Sequence, residues 1–113
     1  MNLPESKFVK YKNFSVSDGT IINDLLIAYQ TWGNLNQKKD NAILICHGYT
    51  NHHFACDKNI GWFNNSMGSG KAIDTDKYFV ICSNMLGSSF GTTGPKSINP
   101  KTKSPYGLSL IHI

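Results

Sequence analysis

The chain has 113 residues, 40% of them hydrophobic, and a formal net charge of +4. This length fits one small domain, and the hydrophobic content excludes wholesale disorder. The positive charge comes from eleven scattered lysines without any arginine, a pattern that does not favour nucleic-acid binding. No apolar run approaches the roughly 18 residues of a membrane span, and the start lacks the pattern of a secretory signal. We therefore expect a cytoplasmic protein that binds neither nucleic acid nor membrane.

The first third of the sequence predicts an antiparallel hairpin. Residues 8–16 alternate loosely between apolar and polar side chains, and residues 21–32 resume as a second strand-like segment. Asp18-Gly19, between them, is a turn signal. The polar residues 33–41 then predict a loop.

Two continuous apolar runs, residues 42–46 and 78–82, predict parallel strands that are covered on both faces. Cys46 and Cys82 lie in or at the end of these runs, where a thiol behaves as a small buried hydrophobe. Glycines interrupt any long helix between the runs. The pattern therefore predicts a βαβ-like crossover that contains only a brief helical turn near residues 70–73.

The remainder of the chain is rich in glycine and proline. Residues 83–107 hold seven of these two residue types in a density that predicts an ordered loop rather than a long regular element. The final residues, 108–113, have strand character but little chain left with which to pair. We interpret the chain as one α/β unit.

The junction after the first apolar run carries the clearest chemical signal. Residues 46–50 read Cys-His-Gly-Tyr-Thr, and a loop in this position can aim a backbone N–H at a developing oxyanion. Tyr49, which follows Gly48, would provide that N–H. The alternative is an ordinary strand-to-loop junction with a structural histidine.

One motif matches the sequence pattern around a catalytic serine but lacks the helix that should follow it. Residues 87–91 match Gly-x-Ser-x-Gly, the pattern of a nucleophile elbow, which would make Ser89 the nucleophile. An elbow needs a helix directly after it, and here Gly94-Pro95 follows, which cannot begin a substantial helix. We therefore reject Ser89 as the nucleophile.

Two further patterns are also rejected. Residues 68–72 superficially resemble a phosphate loop but lack its first glycine and its metal-binding hydroxyl. A cluster of potential metal ligands has spacings that fit none of the usual zinc patterns, so we predict no metal site. The members of this cluster are His47, His52, His53, Cys56 and Asp57.

The order of several long strings resembles a known family. The strings are residues 28–36, residues 41–47, residues 68–84 and residues 91–100. Taken in this order, from about Ala28 to Gly107, the strings resemble the N-terminal part of homoserine O-acetyltransferase. This family consists of α/β-hydrolase-fold acyltransferases of methionine biosynthesis.

The resemblance implies a Ser-Asp-His triad that works by a ping-pong mechanism. Serine takes acetyl from acetyl-CoA, and the hydroxyl of homoserine then takes it from the acyl-enzyme. These are small-molecule substrates, no bound cofactor is implied, and the full-length family is implied to form a homodimer. The oxyanion donor falls on the backbone of Tyr49, and the substrate-binding positions fall on Gly48, Thr50, Asn84 and Gly87.

The sequence departs from the family pattern in two places. The family has Ala-Leu-Thr-Gly after the histidine, where this chain has Gly-Tyr-Thr-Asn, so Tyr49 is expected to reshape the acyl pocket. The resemblance also stops after Gly107, before the family's triad residues. We therefore expect residues 1–113 to be the N-terminal portion of a single α/β-hydrolase domain, truncated after about residue 107 and inactive alone. The alternatives are an esterase fragment, with water as acyl acceptor, and a non-catalytic remnant that binds a partner through apolar strand faces.

Overall fold

A computed structural model describes residues 3–107 and contains six β-strands in that range. The main sheet has four strands in the order β1-β2-β6-β3, and β4 and β5 form a separate two-stranded sheet. Strand bounds are β1 (Lys7–Ser15), β2 (Ile21–Trp32), β3 (Ala42–Ile45), β4 (Met67–Gly68), β5 (Ile73–Asp74) and β6 (Phe79–Ser83). Within the described range there is no helix long and apolar enough to cross a membrane.

The predicted N-terminal hairpin is confirmed. β1 pairs antiparallel with β2, in a register that runs from Lys7 opposite Tyr29 to Ser15 opposite Ile21. At the turn, the Asp18 carboxylate accepts a hydrogen bond from the Thr20 N–H at 2.8 Å, and Gly19 adopts a φ of +84°. A short acidic residue and a glycine therefore close the hairpin, as the turn signal indicated.

The second pair of predicted strands is also present and runs parallel, with Ala42 opposite Phe79 and Ile45 opposite Cys82. The predicted burial is wrong for β3, however, because Leu44 is 63% exposed. Cys46 is likewise exposed, whereas Cys82 is buried as predicted. The reason is that β3 is the last strand of the described sheet and is covered on one face, while β6 lies between two strands.

The predicted helical turn near residues 70–73 is wrong. The chain instead makes a turn in which the Lys71 N–H donates to the Gly68 carbonyl at 3.2 Å, and this turn joins β4 to β5. Gly68 and Gly70 have φ values of +144° and +69°, which lie outside the right-handed helical region. The crossover between β3 and β6 is therefore built from turns and two short strands.

The core is formed by the main sheet, by a covering segment, residues 52–67, and by the loop that follows β6. Two tryptophans fasten the covering segment, because Trp32 donates its indole N–H to the Cys56 carbonyl and Trp62 donates to the His52 carbonyl. The buried hydrophobic residues are Ile22, Leu25, Ala28, Phe54, Ala55, Met67, Val80 and Cys82.

The glycine- and proline-rich segment forms the loop that was predicted. Past β6 the described chain has no strand, and its one bridge joins Ile98 to Pro105. Hydrogen bonds such as Tyr106 N–H to the Ser97 carbonyl, at 2.9 Å, order the loop. The strand character noted for residues 108–113 lies outside the described residues.

Candidate active site

An open cleft of about 600 Å³ lies where β3 and β6 end. Because the two strands are parallel neighbours, their carboxyl ends meet at the same edge of the sheet, where α/β proteins commonly bind ligands. The two exit loops, residues 46–51 and residues 84–90, form the walls. The lining residues are His47, Tyr49, Thr50, Asn51, Met85, Leu86, Gly87, Ser88, Ser89, Phe90 and Pro95.

The first exit loop makes a tight turn from Gly48 to Asn51, closed by the Asn51 N–H on the Gly48 carbonyl at 3.1 Å. Tyr49 and Thr50 occupy the two central positions, and Tyr49 is 82% exposed. Within residues 3–107, no acceptor is hydrogen-bonded to the backbone N–H of Gly48, Tyr49 or Thr50. The turn therefore presents backbone donors beside the cleft.

The space next to Gly48 is open. A Cβ atom at this position would meet no atom within 4 Å, and the φ of Gly48 is not in the left-handed region. The glycine is therefore not required by the turn itself.

His47 connects the two walls of the cleft. The residue is 7% exposed, its Nδ1 lies 2.8 Å from the Gly48 carbonyl oxygen, and its Nε2 accepts the Met85 N–H at 3.3 Å. One side chain thus contacts both exit loops, 38 residues apart in sequence.

Asn84 begins the second exit loop and is only 2% exposed, so it does not line the cleft. Its backbone N–H donates to the Ala28 carbonyl at 2.8 Å, and its side-chain amide donates to the Ser88 hydroxyl at 2.5 Å. Of the predicted substrate-binding residues, Thr50 and Gly87 line the cleft, and Gly48 adjoins it. The buried Asn84 holds the loop in shape.

Two adjacent threonines, which sequence analysis missed, attach this loop to β2. The Thr92 and Thr93 hydroxyls accept the Ala28 and Leu26 N–H groups at 2.9 and 2.8 Å. The Thr93 N–H in turn donates to the Leu26 carbonyl at 2.8 Å. The pair of hydroxyl side chains after Gly91 was the one available signal, and its partners lie over 60 residues away.

Two more histidines, His52 and His53, follow the first exit loop in the sequence. His53 is fully buried, its Nε2 is 2.8 Å from the Ser6 hydroxyl, and burial lowers its pKa to about 4. The ring of His52 lies 4.9 Å from that of the cleft residue Phe90, and burial lowers its pKa too. Across residues 3–107, no three His, Cys, Asp or Glu side chains are grouped to hold a metal ion.

Ser89 lines the cleft and is exposed. The residue lies in the irregular loop, and in the described chain no helix follows it. Its hydroxyl also makes no hydrogen bond to a histidine of that range. The strand-turn-helix context of a nucleophile elbow is therefore lacking at this serine.

Comparisons with known proteins identify relatives of this arrangement. No sequence profile of a protein family matches the chain. The homoserine O-acetyltransferase of Deferribacter desulfuricans is 50% identical over 115 aligned residues, which cover 96% of this chain and 30% of that protein. That of Pasteurella multocida is 55% identical over 103 residues, which cover 88% of this chain and 29% of that protein.

Solved structures with the same fold include an acetyltransferase and an esterase. The crystal structure of homoserine O-acetyltransferase from Bacillus anthracis matches with a TM-score of 0.79 and 36% identity, covering 94% of this chain and 31% of that one. The crystal structure of an esterase matches with a TM-score of 0.80 and 34% identity, and the match covers 90% of this chain and 31% of the esterase chain. The chain thus spans under a third of these relatives and matches the N-terminal part of their α/β-hydrolase fold. Over the segment that it spans, the chain is similar in sequence and in fold to homoserine O-acetyltransferases.

Proposed function

We propose that this chain supplies the oxyanion loop of a cytoplasmic homoserine O-acetyltransferase, which moves acetyl from acetyl-CoA to the hydroxyl of homoserine. The observation that carries the proposal is the Tyr49 N–H, which has no acceptor within residues 3–107 and lies in a turn beside the cleft. The named activity of the relatives from Deferribacter desulfuricans and Pasteurella multocida supports the choice of reaction.

The chemistry of acyl transfer explains the value of such a donor. Attack on the thioester carbonyl places negative charge on its oxygen, and a fixed N–H in a water-poor site stabilises that charge by about 3 kcal/mol. Apolar side chains border the cleft, among them Met85, Leu86, Phe90 and Pro95. They would keep water from the acyl group and strengthen the hydrogen bond to the oxyanion.

The proposal assigns no nucleophile to residues 1–113. Within residues 3–107 no histidine is hydrogen-bonded to Ser89, and the resemblance puts the family's triad outside the matching residues. The purified chain, incubated with acetyl-CoA, should therefore show no acetyl adduct by intact-mass spectrometry. Stoichiometric acetylation of Ser89 would contradict the proposed division of roles.

Ester hydrolysis is a second candidate, favoured by the esterase structure, whose TM-score of 0.80 equals that of the acetyltransferase within 0.01. In this reaction the same oxyanion loop would be used, and water would replace homoserine as the acyl acceptor. The identity of the acceptor separates the two candidates.

A chimera tests both candidates. Residues 1–107 would replace the matching segment of the Deferribacter desulfuricans enzyme, and the product would be assayed with acetyl-CoA plus homoserine and with p-nitrophenyl acetate. Formation of O-acetylhomoserine supports the transferase. Hydrolysis of the ester without transfer to homoserine favours the esterase instead.

Two substitutions at one position then test the role of the N–H. Tyr49→Pro removes the donor, and proline is tolerated at the first central position of a turn. Tyr49→Leu keeps the donor and changes only the side chain. We expect kcat to fall about 100- to 1,000-fold in the proline variant and only a few-fold in the leucine variant. Equal activity in the two variants would refute a role for this N–H.

A further inference from the structure

We propose that His47 is a positioning residue that fixes the peptide between Gly48 and Tyr49, and thereby holds the Tyr49 N–H in place for a ligand. The catalytic role of this N–H rests on the proposed function, whereas the positioning of the peptide by His47 is independent of it. The proposal comes from the two hydrogen bonds of the His47 ring, which make use of both of its nitrogens.

The His47 ring carries its proton on Nδ1. Met85 donates its backbone N–H to Nε2 at 3.3 Å, so Nε2 is an acceptor and carries no hydrogen. A neutral imidazole has one donor and one acceptor, and its hydrogen is therefore on Nδ1. From there it is donated to the Gly48 carbonyl, 2.8 Å away. This tautomer satisfies both contacts, and the other tautomer satisfies neither.

The peptide between Gly48 and Tyr49 is held through its carbonyl group. The peptide bonds of the described residues are trans. The Gly48 C=O bond and the Tyr49 N–H bond therefore lie in one peptide plane and point in opposite directions within it. Two donors hold that carbonyl, His47 Nδ1 at 2.8 Å and the Asn51 N–H at 3.1 Å. Rotation of the peptide would break both hydrogen bonds, and the N–H therefore keeps its direction, away from the two donors.

The His47 ring also links the two walls of the cleft. Met85 belongs to the second exit loop and lines the cleft, as does Tyr49 in the first. Because His47 is held by one loop at Nδ1 and by the other at Nε2, its ring sets the distance between the two walls. With both nitrogens engaged, His47 is not free to act as a general base. Its contribution is to hold the N–H group that faces the developing charge.

The experiment uses the chain with its histidines labelled with ¹⁵N. A long-range proton–nitrogen correlation spectrum near neutral pH distinguishes a protonated Nδ1 from a protonated Nε2. We expect His47 to show a protonated Nδ1 and an unprotonated Nε2. A protonated Nε2 would overturn the proposal, and this measurement needs no substitution that could unfold the chain.

Variants extend the test. His47→Leu removes both hydrogen bonds, and hydrogen exchange at the Met85 amide should accelerate about five- to tenfold, with a displaced Tyr49 amide resonance. Cys46→Ala is the matched control, because Cys46 is the exposed neighbour in sequence and makes neither contact. His47→Gln, with one donor and one acceptor, should restore part of the protection at Met85. Unchanged exchange and an unmoved Tyr49 resonance in His47→Leu would also overturn the proposal.

A titration with methylphosphonate, an oxyanion mimic, separates this inference from the proposed function. A shift of the Tyr49 amide in the wild type that is lost in His47→Leu supports both. If the ring tautomer and the Met85 contact are as expected but methylphosphonate moves no resonance, the acyl-transfer proposal fails and the positioning geometry stands.

Discussion

Two histidines near the cleft, six residues apart in the sequence, differ in their hydrogen-bond partners. His47 has a partner on each ring nitrogen. His53 is fully buried, contacts Ser6 through Nε2, and has no partner for Nδ1 within the described range. Burial, and secondly the proximity of His52, lower the pKa of His53 from its usual 6.5 to about 4. The folded chain therefore holds this ring in the neutral form.

The stability of the chain should depend on pH through His53. The stability that depends on a neutral His53 is complete above pH 6.5 and is lost as the pH falls towards 4. Over this range the His53 side chain binds a proton in the unfolded chain but not in the folded chain. The loss is at most about 3 kcal/mol in the free energy of unfolding. Urea denaturation at a series of pH values measures it.

The matched variant is His53→Gln, which keeps a polar side chain but does not titrate in this range. Its urea midpoint should change less between neutral and acidic pH than the wild-type midpoint does. The same pH dependence in both proteins would show that other groups are responsible.

At the level of elements, β3 and β6 are similar apolar strands with different surroundings. β6 is paired on both sides, to β2 and to β3, whereas β3 ends the described sheet. Cys82 on β6 is buried, and burial, with a smaller effect of Cys46, raises its pKa to about 11. Cys46, one residue beyond β3, is exposed. Position in the sheet, rather than local sequence, separates the two thiols.

Thiol labelling should follow this difference. With iodoacetamide near neutral pH, Cys46 should be modified first, while Cys82 should react only as the chain opens, since its thiolate fraction is about a hundredfold lower than that of an ordinary thiol. Peptide mass spectrometry identifies the modified residue. Addition of urea should remove the difference, and equal labelling without urea would contradict the sheet order.

At the level of the whole molecule, the two faces of the main sheet are unequal. Residues 52–67 are attached to β2 on one side by the hydrogen bond from Trp32 to the Cys56 carbonyl, whereas Leu44 and Val9 on the other face are exposed. Ile27 and Ile81 line a shallow groove of about 300 Å³ on that second face. Exposed apolar area and an open edge strand both favour association between molecules.

The isolated chain should therefore bind the dye ANS and self-associate. Leu44→Lys places a charge on the exposed face and the open edge, and should reduce both effects, whereas Leu44→Val should leave them nearly unchanged. Sedimentation and ANS fluorescence provide the measurements. A monomeric wild type that does not bind the dye would show that this face is not a source of association.

Local chemistry made part of the fold and site predictable from the sequence. Asp18-Gly19 encodes the hairpin turn, the apolar runs encode the parallel strands, and the step from His47 to Gly48 indicates the loop beside the cleft. Each of these signals acts within a few residues, where side-chain type and backbone preference determine the outcome.

Only the tertiary structure decided what these elements contact. It placed β3 at the end of the described sheet, so that Cys46 is exposed, and it brought the Met85 N–H to His47. It also joined Thr92 and Thr93 to β2. The physical reason is that burial and hydrogen bonding depend on partners brought together by folding over tens of residues, and those partners leave no signal in the local sequence.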